Sequence, residues 1–112
     1  MESIPTGAVV LARFPFSDLK SKKLRPCLVI GLAEFEDLIL CQITSSSYGS
    51  QKAISLNKTR DFTKGSLITD SYIRPDKIST LDSSLVVRQL GLLNSVKIQE
   101  VKSILKKILE IA

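Results

Sequence analysis

Lys23-Leu24-Arg25-Pro26-Cys27-Leu28-Val29-Ile30, followed by the apolar run Leu38-Ile39-Leu40-Cys41-Gln42-Ile43-Thr44 and its tail Ser45-Ser46-Ser47, decides the reading of this 112-residue chain. Proline lacks an amide donor, so Pro26 is expected to begin a strand rather than sit inside a central one. Cys27–Leu32 then reads as a continuous apolar strand and Leu38–Thr44 as its hairpin partner, joined through Ala33-Glu34-Phe35-Glu36-Asp37. This arrangement puts Arg25 at the entrance to one strand and a hydroxyl cluster at the exit of the next. Such a pair suits a phosphodiester.

Upstream, residues 8–14 are apolar and β-branched between Gly7 and Pro15, which predicts a first strand. Phe16-Ser17-Asp18-Leu19-Lys20-Ser21-Lys22-Lys23-Leu24 has no helical apolar period and reads as a long basic loop. Downstream, Ser45–Gln51 reads as a second exposed loop and Ala53–Leu56 as a short strand. Ser66–Ile68, after Gly65, is expected to form another. Ser71–Leu81 alternates well enough for an irregular or edge strand broken at Pro75. Ser83–Leu93 fits either a strand, through Leu85-Val86-Val87, or a short helix capped by Asp82 or Ser83. From Asn94 or Ser95, Ile98, Val101, Leu105, Ile108 and Ala112 recur at three- and four-residue steps, predicting an amphipathic helix whose polar face carries Lys97, Lys102, Lys106 and Lys107. Short strands closed by one terminal helix give a mainly β fold, a small antiparallel barrel or half-barrel.

A hydrophobic fraction of 44% with 24% charged residues is that of one globular domain. Sixteen Lys and Arg against eleven Asp and Glu leave a formal charge of +5, which favours polyanionic partners. Cys27 and Cys41 both lie in apolar runs and read as reduced, buried thiols of a cytoplasmic protein. Neither an export signal nor a run of roughly 20 apolar residues is expected from the pattern.

The sequence contains no histidine. That removes Ser-His-Asp and Cys-His nucleophilic sites and imidazole-based metal sites. There is no CxxC, no GxGxxG and no GxxxxGK[ST], so no cofactor or metal is expected. Arginine, lysine and hydroxyls remain, a set that grips phosphate and stabilises charge developing on it. Cleavage of RNA fits, because RNA supplies its own nucleophile in the 2′-hydroxyl. Arg25 can make bidentate contacts to a phosphate and Thr44 a further hydrogen bond.

The chain resembles the MazF/PemK family of toxin endoribonucleases from toxin–antitoxin modules. The likeness rests on Gly7-Ala8-Val9-Val10-Leu11-Ala12-Arg13-Phe14-Pro15-Phe16-Ser17-Asp18, on Arg25-Pro26, on Ile43-Thr44-Ser45, and more loosely on Gly65-Ser66-Leu67, Ser71–Asp82 and Gly91-Leu92. The resemblance implies an SH3-like barrel with a C-terminal helix, usually a homodimer, cutting single-stranded RNA at short sequences without a metal. It implies products with a 2′,3′-cyclic phosphate and a 5′-hydroxyl, and a cognate antitoxin, for which a basic groove would suit an acidic, partly disordered peptide.

By the same resemblance the catalytic arginine falls on Arg25 and the catalytic threonine on Thr44. Phe16 would stack on a base, and Lys20, Lys22 and Lys23 would hold the backbone. Ser17, Ser45, Ser46 and Arg74 complete the expected RNA-binding set. Phe16-Ser17-Asp18-Leu19 follows the PemK-like branch rather than the glycine- and glutamate-containing stretch of the MazF branch, so the cleavage sequence does not transfer. The same barrel also hosts non-catalytic toxins acting on DNA gyrase, which is the alternative reading.

Overall fold

The computed structural model describes residues 3–15, 22–47 and 49–111. Seven strands form one antiparallel sheet: β1 (Ala8–Pro15), β2 (Lys22–Leu32), β3 (Asp37–Thr44), β4 (Ile54–Leu56), β5 (Phe62–Gly65), β6 (Ser71–Asp82) and β7 (Val86–Leu93). A single helix, α1 (Ser95–Leu109), follows. The spatial order is β4-β6-β3-β2-β1-β7-β5. β4 and β5 stand at opposite ends of that order, yet only residues 57–61 join them. Six Cα steps reach at most about 21 Å, whereas a flat sheet of seven strands would hold its edges about 29 Å apart. The sheet must therefore curl. Ile54 and Leu56 of one edge accordingly share a hydrophobic core with Phe62 of the other.

The three central strands are buried on both faces. Val9, Leu28, Cys41 and Ile43 pack with Val101 of the helix on one side. Ala8, Val10, Ala12, Cys27, Val29 and Leu40 face a second cluster on the other. This double burial explains why Cys27–Leu32 reads as an unbroken apolar run instead of alternating.

Several expectations change. β2 starts at Lys22, so Pro26 lies inside an eleven-residue strand and the basic segment ahead of it is shorter than expected. Pairing to β1 runs from Lys22 to Leu28, but pairing to β3 begins only at Cys27. The first half of β2 is thus an edge toward β3, where a proline is tolerated. Ser66–Ile68 is not a strand; β5 comes earlier, because Phe62 and Lys64 pair with Leu93 and Leu92. Gly65 ends it with φ +70.

β6 is not broken at Pro75, nor is it an edge along its first half, where it lies between β3 and β4. Its partner register jumps from Cys41↔Ile78 to Gln42↔Arg74, so Pro75, Asp76 and Lys77 bulge out. That is where the missing proline amide costs least. The open choice at Ser83–Leu93 resolves as both: Asp82 accepts from Ser84 N to cap a 3-10 turn over Ser83–Leu85, and β7 follows.

Asn94 caps α1 by accepting from Lys97 N at 2.9 Å. Lys97, expected on the exposed face, is instead buried: its Nζ donates to Ser55 O at 2.9 Å and Glu100 Oε1 at 2.8 Å, with Asp61 Oδ2 at 3.6 Å. This knot pins the helix to β4. Among the described residues no helix is long and apolar enough to cross a membrane.

Candidate functional site

The register of the central hairpin decides what Arg25 meets. Leu28 pairs with Cys41 and Cys27 with Gln42, after which the β2–β3 pairing stops. Continuing that register by two residues places Arg25 opposite Thr44. The two strands therefore part at a fork, with a guanidinium on one branch and a hydroxyl on the other. Thr44 is mostly buried, and its Oγ1 accepts from Ser46 N at 3.3 Å, which turns the chain out of β3. Arg25 is half-buried and its Nε is shielded from water.

The fork opens on a cavity of about 680 Å³. Arg25, Pro26, Ile43, Thr44 and Ser45 contribute to one side of it. Ser66, Leu67, Ile68 and Thr69 form another, and Arg88, Gln89 and Leu90 of β7 a third. Leu11 pairs with Pro26 on one side and with Arg88 on the other. Directly opposed residues of antiparallel strands share a face. Arg88, Leu11 and Pro26 thus make a transverse row, which Ile43 extends, and this row floors the cavity. Arg25 and Thr44 lie one position along, on the alternate face, and reach the cavity at the fork where the strands separate.

The structure brings Arg25, Thr44 and Ser45 together and keeps Ser46 beside them. Arg74 does not line the cavity; its Nε and NH2 donate to Asp76 Oδ1 and Oδ2 at 3.2 and 3.3 Å. That hydrogen-bonded guanidinium holds the Asp76 carboxyl below its ordinary range. Lys23 lies exposed on β2 opposite Phe14, outside the cavity lining. Lys22 belongs to β2 by its backbone. Phe16, Ser17 and Lys20 lie outside the described residues. Arg88, Gln89 and the 66–69 segment were not singled out from sequence. Alternation from Val86 would put Arg88 on the face of Ala12, and only the register shift between Leu11 and Ala12 turns it toward the cavity.

Chemically, the cavity offers two guanidiniums, several hydroxyls and an apolar floor. This can bind and polarise a phosphodiester. Among the described residues no group of three His, Cys, Asp or Glu side chains could hold a metal ion. A second hollow of about 520 Å³ between β4 and α1, lined by Lys52, Tyr72, Glu100 and Lys107 among others, contains none of the expected site residues.

A family model described as "PemK-like, MazF-like toxin of type II toxin-antitoxin system" matches residues 6–109. No curated protein matches by sequence comparison. Among solved structures, the chain is similar to a MazE–MazF complex from Deinococcus radiodurans, with 19% identity, 100% of each chain covered and a TM-score of 0.79. It is similar to an endoribonuclease in complex with its cognate antitoxin from a mycobacterial species, with 14% identity over 100% of this chain and 98% of that one and a TM-score of 0.76. Mycobacterium tuberculosis toxin MazF-mt6 superposes with a TM-score of 0.72 at 16% identity, over 94% of this chain and 98% of that one. At these identities the likeness is one of fold.

Proposed function

Since the chain belongs to the family of PemK-like, MazF-like toxins of type II toxin–antitoxin systems, we propose that it is an endoribonuclease cutting single-stranded RNA through the RNA's own 2′-hydroxyl. The observation that carries this reading is the fork of β2 and β3, where the pairing stops after Cys27↔Gln42 and Arg25 and Thr44 both line one side of a cavity large enough for part of a nucleotide chain.

The 2′-oxygen attacks phosphorus and forms the cyclic P–O bond as the bond to the 5′-oxygen breaks. The 2′ proton passes to solvent and the leaving oxygen gains one from it. Products are a 2′,3′-cyclic phosphate and a 5′-hydroxyl. Negative charge accumulates on the non-bridging oxygens in the transition state. Arg25 opposes it with a permanent positive charge, and a donor set in place before reaction costs no reorganisation. Thr44 orients the same phosphate with a hydroxyl whose rotation its bond from Ser46 N restrains. Both act by electrostatics and alignment.

In this reading the working partners are single-stranded RNA, an acidic cognate antitoxin suited to a chain of charge +5, and a second copy of the chain. The neighbours solved as complexes with antitoxin support the partner by analogy.

The test is cleavage of a broad panel of single-stranded RNAs in EDTA, with 5′-ends mapped by sequencing. Wild type is expected to leave cyclic-phosphate ends, and Arg25→Ala to lose about a hundred-fold or more in rate with the fold intact, the scale of removing one transition-state donor. An uncut panel ends the proposal. Growth arrest without RNA fragmentation, and insensitive to Arg25→Ala, would select the gyrase-type alternative.

A further inference from the structure

Arg88 differs from Arg74 and Arg60. Arg74 is held by Asp76 and Arg60 lies against Asp61. Among the described residues Arg88 forms no ion pair, although it is exposed and lines the same cavity as Arg25. Its place is fixed by register: Arg88 pairs with Leu11, which pairs with Pro26, the neighbour of Arg25. Two strand spacings separate Arg88 from that point on β2, about 10 Å between backbones. Leu11 and Pro26 floor the span between the two arginines, and Ile43 on β3 continues that floor beyond Pro26.

The opposite lip is held close by two glycines. Gly65 has φ +70, and a side chain there would collide with Leu90 O; one at Gly91 would meet Lys64 O at 2.6 Å. These two glycines let β5 close on β7 and bring the 66–69 segment beside Arg88. The segment is braced, with Leu67 N donating to Lys58 O at 2.9 Å and Lys58 N to Asp70 Oδ1 at 2.9 Å. Leu67 packs into the core, yet the adjoining Ile68 is 96% exposed. A rigid segment holds a large apolar side chain in water at the rim of a cationic cavity.

We propose that Arg88 and Ile68 form a nucleotide subsite next to the scissile linkage: Arg88 binds the neighbouring phosphate, and the intervening base lies between Ile68 and the Leu11–Pro26–Ile43 floor. The inference rests on the ribonuclease reading for its substrate but not for its test. Arg88 is here a binding and positioning residue, since the scissile phosphate belongs to Arg25 and Thr44. Two phosphates held at a fixed separation, with one base gripped between them, fix the register of the RNA over the fork. The subsite thereby favours some bases over others at one position beside the cut.

Binding is measured to a mixed-sequence 2′-O-methyl RNA decamer, which lacks the nucleophile and cannot be cut by this chemistry. Arg88→Ala is expected to weaken binding about ten-fold at low salt, as loss of a charge-assisted phosphate contact does. It should also reduce the slope of log K against log salt by about 0.7, the share of one phosphate contact on single strands. Arg88→Lys should restore the slope. Ile68→Ser should weaken binding with the slope unchanged, because it removes a base contact and no charge. An Arg88→Ala variant of unchanged melting temperature, affinity and salt slope overturns the subsite. If the wild type binds as described but cuts no RNA, the subsite stands and the ribonuclease reading falls. If it cuts RNA while Arg88→Ala leaves binding untouched, the reverse holds.

Discussion

Thr44 separates two uses of a threonine at a strand end. It is mostly buried, its hydroxyl oxygen takes one bond from Ser46 N, and it lines the cavity beside Ser45. A capping role needs an oxygen acceptor; a phosphate role needs that oxygen to donate as well. Thr44→Val keeps the shape and loses both, and is expected to slow RNA cleavage about ten-fold or more while costing about 1 kcal/mol of stability, the worth of one hydrogen bond. Thr44→Ser should retain most of the rate. Single-turnover cleavage rates beside denaturation midpoints check it, and full activity in Thr44→Val would remove the residue from the mechanism. Arg25 and Thr44 stand out in the sequence because one precedes a proline that opens an apolar run and the other precedes a serine run, although β2 in fact begins three residues before Arg25. Arg88 does not, because nothing short of the β1–β7 register connects it to Leu11 and Pro26.

Elements followed sequence where periodicity was clean and departed from it where tertiary contacts overrode local signals. α1 starts where the cap signal stood but ends at Leu109, short of the expected Ala112, while β1, β3 and β4 lie within a residue of where composition put them. β5 and the continuous β6 did not, since Phe62–Gly65 is made a strand by β7 and the Pro75 interruption is absorbed by a bulge. Lys97 shows the same limit on the helix: a lysine at a helical polar position reads as solvated until Ser55 O, Asp61 and Glu100 surround it. Lys97→Met removes the cation from the mostly buried Asp61, whose side chain is 10% exposed, and leaves it the bond from Asn57 N at 2.7 Å and the exposed Arg60 at 3.5 Å. Breaking one partner of a buried pair costs about 3 kcal/mol or more. Urea denaturation should show that loss, and a neutral outcome would mean the pair contributes nothing net.

At the scale of the molecule, both cysteines lie inside the sheet, and burial foremost pushes the thiols of Cys27 and Cys41 up to about 12. The unfolded chain, with thiols near 9, releases these protons at lower pH than the folded one. The sign follows: their contribution to stability is intact below about pH 9 and is lost as pH rises toward about 12. The unfolding free energy of the wild type should therefore fall more steeply between pH 8 and pH 10.5 than that of Cys27→Ala/Cys41→Ala. Equal slopes would show that the thiols stay protonated in neither state or both. Below pH 9 the same burial leaves the thiols unreactive toward alkylating reagents until the chain unfolds.

The pairing of β1 with β7 also governs how the protein comes into being. Residues 8–12 have their second neighbour in residues 86–92, with five strands made in between, so the sheet cannot close while the ribosome is still upstream of β7. Contacts so distant along the chain form late and together. A message truncated anywhere before residue 86 yields a polypeptide lacking Arg88, one side of the cavity and the second of the two partners of its first strand. A chain interrupted there leaves β1 with β2 as its one sheet neighbour, and the cavity is complete only once Arg88, Gln89 and Leu90 have been added.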